Sequence, residues 1–219
     1  AQLGDLSIGG VGTVTGSANF AAAANAANVT GGGNLAADAN AQVNSVDGLV
    51  SLSGDGIDIS SDAGIQGLAS IDLASAAEST GAGDGKWTRA TATSDAGTLQ
   101  GAELNSLTDI GGVGSVAGST DLSSSAAASN VTGSAVATGS LTSAEGLDLN
   151  ATLDVASDAS VSGTAGISSS ADAVTTAGAA TSTAQSTTIT GADLSGGIVD
   201  VGGIGSIAGQ ANFGLSASS

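Results

Sequence analysis

One stretch of this chain is written three times, and it constrains the fold more than any other feature. Gly9-Gly10-Val11-Gly12-Thr13-Val14-Thr15-Gly16 returns as Gly111-Gly112-Val113-Gly114-Ser115-Val116-Ala117-Gly118. It returns again as Gly202-Gly203-Ile204-Gly205-Ser206-Ile207-Ala208-Gly209. Asn28-Val29-Thr30-Gly31 recurs as Asn130-Val131-Thr132-Gly133, and Ala18-Asn19-Phe20 recurs as Ala211-Asn212-Phe213. Such self-similarity predicts a repeat architecture, in which equivalent segments take equivalent places in one fold. The spacing divides the chain into a first unit (1–110), a second unit (111–201) and the opening of a third (202–219).

Inside each copy the residues alternate. From Gly12, one face carries Gly12, Val14, Gly16, Ala18 and Phe20; the other carries Thr13, Thr15, Ser17 and Asn19. A period of two with one small, apolar face is the pattern of a half-buried strand. Glycine on that face lets another backbone approach closely. Leu147, Leu149, Ala151, Leu153 and Val155 alternate with Asp148, Asn150, Thr152 and Asp154 in the same way, and read as one amphipathic strand. Ala21–Ala27 favours helix by composition. Its counterpart Ser123–Ser129 does not, so extended chain is the joint reading. The predicted class is all-β: an antiparallel-rich β-sandwich or β-solenoid, built from two long repeats and a truncated third.

Large side chains are scarce. The chain has two Phe, one Trp, no Tyr and no Met among 219 residues. Apolar burial stabilises by roughly 25 cal/mol per Å², so cohesion must lean on backbone hydrogen bonds and close approach of strands. Asp and Glu number 20 against 2 Lys and Arg, for a net charge of −18. That balance disfavours nucleic acid and anionic membrane surfaces as partners. No apolar run reaches the roughly 18 residues that a membrane-spanning helix needs. With no Cys there is no disulfide or thiol chemistry. The absent Met and the small residue Ala1 fit a mature secreted chain freed of a signal peptide.

The chemistry of catalysis is thin. His and Cys are absent, which removes the commonest general base, the thiol nucleophile and the zinc ligands. The Gly-Gly-x-Gly copies lack the spacing and the following helix of a dinucleotide loop. No enzymatic activity and no required cofactor is expected. Gly54-Asp55-Gly56-Ile57-Asp58 and Asp84-Gly85 offer oxygen ligands on tight turns that would suit a structural Ca²⁺, without fixing its place. Asn28-Val29-Thr30, Asn130-Val131-Thr132 and Asn150-Ala151-Thr152 match the glycosylation pattern, which arises readily in a chain this rich in Asn and Thr.

The segment at about 81–90 has no counterpart in the second unit. It holds Lys86, Trp87 and Arg89, the only Lys, Trp and Arg of the chain. It reads as an inserted loop that could dock an acidic patch of a neighbouring copy. The third repeat opens without finishing, so Ile204, Ile207 and Phe213 are candidates for contact with another copy. Unequal ends that complement one another propagate as a filament. The expected function is therefore an extracellular, self-assembling structural protein whose partners are copies of itself: a filament, pilus-like appendage, tube or surface layer. A repeat region of a large surface adhesin is the first alternative. An ice- or mineral-binding β protein, suggested by Thr91 and Thr93 alternating with Ala90 and Ala92, is the second.

Overall fold

A computed structural model describes residues 1–28, 35–51, 56–80 and 88–219, except for the side chains of residues 35, 131 and 132. Lys86 and Trp87, the turn at 54–55 and the pair 84–85 lie outside the described residues. The described elements are all strands. They are β1 (Gln2–Leu3), β2 (Leu6–Ile8), β3 (Gly12–Asn28), β4 (Leu35–Ser51), β5 (Gly56–Ile59), β6 (Ala63–Ser79) and β7 (Thr88–Leu104). They continue as β8 (Leu107–Ile110), β9 (Gly114–Leu149), β10 (Thr152–Val155), β11 (Ala159–Asp193), β12 (Ile198–Val201) and β13 (Gly205–Ser218).

Every strand pairing among the described residues is parallel. This corrects the antiparallel-rich expectation. Gly12 lies beside Ala63, 51 residues on, and Ala63 beside Gly114, a further 51. Gly114 lies beside Ala159, 45 on, and Ala159 beside Gly205, 46 on. The chain thus winds in turns, and each turn stacks on the one before it. Period-two alternation arises from the pleat alone and carries no information on the neighbour's direction, so the sequence pattern could not separate the two arrangements.

Each turn has three walls. The long wall holds β3, β6, the first half of β9, the first half of β11, and β13. The second wall holds β1, β4, β7 and the second halves of β9 and β11. Together these form one curled sheet, continuous because β9 and β11 run through both walls. The bend falls at Gly133 and Gly178, which stack on each other with φ of +111° and +146°. Side chains rarely adopt that backbone, which is why glycine holds both places. The short wall is a separate five-stranded sheet of β2, β5, β8, β10 and β12. The amphipathic run from Leu147 to Val155 is therefore two strands. A corner at Asn150-Ala151 separates β9 from β10, while Leu147, Leu149, Leu153 and Val155 all stay buried.

The corners explain why the sequence repeats at 102 residues when the turns repeat at half that. The corner leading into the long wall alternates in type. Gly9-Gly10-Val11, Gly111-Gly112-Val113 and Gly202-Gly203-Ile204 alternate with Ser60-Ser61-Asp62 and Ala156-Ser157-Asp158. The Asp62 carboxylate accepts the Val113 N–H at 2.8 Å, and Asp158 accepts that of Ile204 at 2.8 Å. A Cβ on Gly112 or Gly203 would strike those same carboxylates. The two corner types are complementary, so one sequence repeat spans two turns.

The interior is divided along the walls. Where all three walls meet, Val14, Leu49, Ile57, Ile59, Ile65, Leu104, Ile110, Val116, Leu149, Leu153, Val155 and Val161 form one buried cluster. Farther along the long wall, Ile71, Leu73, Leu99, Leu122, Leu141 and Ile167 form a second. Toward the bend the buried cluster is alanine, including Ala90, Ala92, Ala126, Ala135, Ala137 and Ala171. Each fully buried Leu or Ile contributes about 1.5–3 kcal/mol. The alanine zone contributes less and holds the walls near one another. Buried serines sit close to the alanine zone, with Ser75 and Ser94 hydroxyls hydrogen-bonded at 2.9 Å and Ser94 donating to the Ser125 carbonyl at 2.7 Å.

Between the two Leu/Ile clusters the long and second walls touch backbone to backbone. A Cβ on Gly16, Gly67, Gly118 or Gly163 would strike the main chain at Gly48, Gly101, Gly146 or Gly191 respectively. Close approach is therefore the role of the last glycine in each repeated motif. Gly12 differs: its Cβ would meet the Ile8 and Ile59 side chains at 3.0 and 3.1 Å, not backbone. Gly118→Ala should overpack the contact with Gly146 and lower stability by about 1–3 kcal/mol. Gly64→Ala places its methyl no nearer than 4.0 Å from Thr13 Cγ2, and should leave stability unchanged or raise it by up to about 1 kcal/mol. Denaturant midpoints of the two variants check the contrast, and equal midpoints would remove the close-contact account.

Candidate assembly interface

The proposed contact residues separate in space. Ile207 and Phe213 lie on β13, at inward positions of the last long-wall strand, and remain 57% and 62% exposed. Ile204 lies at the corner before them, 78% exposed. The segment is not a free strand. β13 pairs with β11 from Gly205 beside Ala159 to Ser218 beside Asp172, and only its outer edge is unpaired. Arg89 lies elsewhere, on the outer face of the second wall, where its guanidinium donates to Asp38 at 2.8 Å. It is engaged with its own chain and is not gathered with Ile204, Ile207 and Phe213.

The opposite end of the coil carries a matching edge, which sequence reasoning missed. Among the described residues β3 pairs only with β6, leaving its other edge open along Gly12–Asn28. Phe20 occupies the position equivalent to Phe213, in the inward column Phe20–Ile71–Leu122–Ile167–Phe213. The three middle members are buried, and Phe20 is 37% exposed. The signal was present in the sequence: the only two Phe sit in matching Ala-Asn-Phe copies. Their placement at the two ends of one column is a tertiary fact.

Charge is distributed unevenly along the stack. On the short wall Asp58, Asp109, Asp154 and Asp200 fall in one outward column, capped at the other end by Ser7. Parallel strands lie about 4.8 Å apart, so the carboxylates repel at close range. A second acidic column on the second wall runs Glu103–Asp148–Asp193, preceded by Val50 and Gln2. Burial raises the Asp148 carboxyl above its ordinary value of 3.8. Glu145, Glu103 and Asp193 push it the same way, against the hydrogen bond from Asn150. Asp193 is lowered instead, by the Ser195 side chain and by the Ser195 N–H at 2.9 Å. Among the described residues no group of three or more His, Cys, Asp or Glu is placed to hold a metal ion. No described helix is long and apolar enough to cross a membrane. No family model, curated protein or solved structure matches this chain.

A raised carboxyl holds its proton more tightly in the folded state. Asp148 therefore favours folding at low pH and opposes it once pH has risen through the folded value. Asp148→Asn keeps an acceptor for Asn150 and removes the charge. It should raise stability at pH 7 by up to about 1 kcal/mol, the size of a like-charged pair on adjacent strands. The gain should vanish below the ordinary carboxylate range. Unfolding midpoints of both proteins across pH 3–7 test this, and a pH-independent difference would contradict it.

Proposed function

We propose that this is an extracellular structural protein whose copies stack head to tail into a filament. The observation that carries the reading is the pair of outer strands on the long wall. β3 and β13 contain no charged residue in a chain of net charge −18. Open strand edges are ordinarily guarded by charge, proline or a covering segment, because a bare edge templates another strand. On the long wall the bare edges are the uncharged strands, while its inner strands carry Asp72, Glu78, Asp121 and Asp172; the open edges of the other walls are acidic, with Asp38 and Asp47 on β4 and Asp200 on β12. Among the described residues, seven of the eleven exposed large apolar residues lie at the same two ends, Val11 and Phe20 at one and Ile198, Ile204, Ile207, Phe213 and Leu215 at the other; Leu68, Leu107, Val113 and Val174 lie on the turns between.

Electrostatics sets how such stacking responds to solution. The rest of each copy is acidic, so copies repel until salt screens them, with a Debye length of about 10 Å at 0.1 M. Sedimentation and electron microscopy from 0.01 to 1 M NaCl should show monomers giving way to unbranched filaments one coil wide. Monodisperse protein at every salt concentration, at high protein concentration, would refute the reading.

A second reading concerns the outer face of the second wall. Thr93, Thr138 and Thr183 stack in register there, beside the column that holds Thr91 and Thr181. A regular array of hydroxyls and methyls, with Val136 between Thr91 and Thr181, favours binding to an ordered surface such as ice or a mineral. Thermal hysteresis that falls by at least half in Thr138→Lys would support it, and wild-type protein with no hysteresis would exclude ice.

A further inference from the structure

On the long and short walls the two open ends fit each other residue by residue, and we infer that the filament junction places β3 of one copy beside β13 of the next, Gly12 against Gly205. This rests on the head-to-tail reading and assigns its register. The register continues the column Gly12–Ala63–Gly114–Ala159–Gly205 that already runs through the coil. It sets Val14 on Ile207, Gly16 on Gly209, Ala18 on Ala211 and Phe20 on Phe213. Every long-wall neighbour inside one molecule is matched in this way, so the junction is chemically a repetition of the β11–β13 pairing.

Three features single out a second copy as the occupant. The first is aromatic. The only two Phe of the chain become neighbours across the junction and nowhere else. Strands about 4.8 Å apart bring their rings within the 4.5–7 Å of a stacked or edge-to-face pair. The second is apolar cover on the short wall, where Leu6 and Ile8 come over Val199 and Val201, all four half-buried in the single chain. The third is charge. The acidic columns end, at the opposite end of the coil, in neutral polar side chains: Ser7 comes over Asp200, and Gln2 over Asp193. Hydroxyl-to-carboxylate contact between stacked strands already occurs in this fold, with Ser123 Oγ donating to Asp72 at 2.6 Å. Outside the wall, Asn19 and Asn212 become neighbours, and stacked Asn side chains hydrogen-bond along such columns.

The absence of cysteine allows a direct test. Asn19 and Asn212 are exposed and stand four strand spacings apart within one molecule, about 19 Å. A disulfide needs Cα atoms about 4.4–6.8 Å apart, so Asn19→Cys/Asn212→Cys can bridge only between copies. Oxidation of this double variant under assembling salt should give a ladder of covalent oligomers on denaturing gels. The control Thr15→Cys/Asn212→Cys, out of register by four residues, should give at least tenfold less. A ladder from the control equal to that of the test pair, or dimers alone from either single variant in equal yield, would overturn the register. So would filaments by microscopy with no covalent ladder, which leaves head-to-tail assembly standing. No filaments and no ladder would remove both. Phe213→Ser, altering a side chain exposed in the single copy, should keep the circular dichroism spectrum and raise the critical concentration for assembly at least tenfold; an unchanged value would remove the aromatic contact.

Discussion

The backbone ladder between successive turns is the interaction on which the rest of this structure depends. Side chains here are small, and their burial alone could not order so many residues against a conformational cost of roughly 1–2 kcal/mol each. Winding the chain places nearly every strand residue beside its equivalent one turn away, so peptide groups find partners along the whole length of each wall. That economy fixes the composition. Where two walls carry their peptide groups past each other at Gly16, Gly67, Gly118 and Gly163, only hydrogen fits.

The graded interior follows from the same geometry. Where three walls meet there is room for Leu, Ile and Val, and most of the large side chains gather there. Where two walls run face to face toward the bend, the gap narrows to alanine. Stacking then imposes a rule on charge. Each outward position repeats at about 4.8 Å, so an acidic residue in one turn is close to its equivalents in the next. Asp58, Asp109, Asp154 and Asp200 form such a column at the exposed surface. Asp148 shows the cost where a column is partly buried: its carboxyl resists ionisation.

A stack of this kind has two ends, and the proposed function rests on their chemistry. The ends differ from the body in two respects. Their long-wall strands carry no charge, and their apolar columns finish in the only two Phe. Charge at a strand edge ordinarily blocks the addition of another strand. The proposed function, stacking of copies, rests on that contrast.

Much of this was legible in the residues. The repeated Gly-Gly-x-Gly motif announced an architecture of equivalent segments, the alternation from Gly12 to Phe20 named the inward face, and the glycine at position 16 marked a close backbone approach. These are local: the pleat turns a period of two into two faces whatever lies alongside. Strand direction was not legible, because parallel and antiparallel neighbours read the same alternation, and partners about 51 residues apart leave no local mark. The halving of the repeat was equally hidden, since the 102-residue period records which corner stacks on which, Asp62 beneath Val113, and not the length of a turn. Nor could the sequence tell that Phe20 and Phe213 end one column or that Arg89 is held by Asp38. Those juxtapositions exist only once the turns have stacked, and stacking is a property of the whole coil.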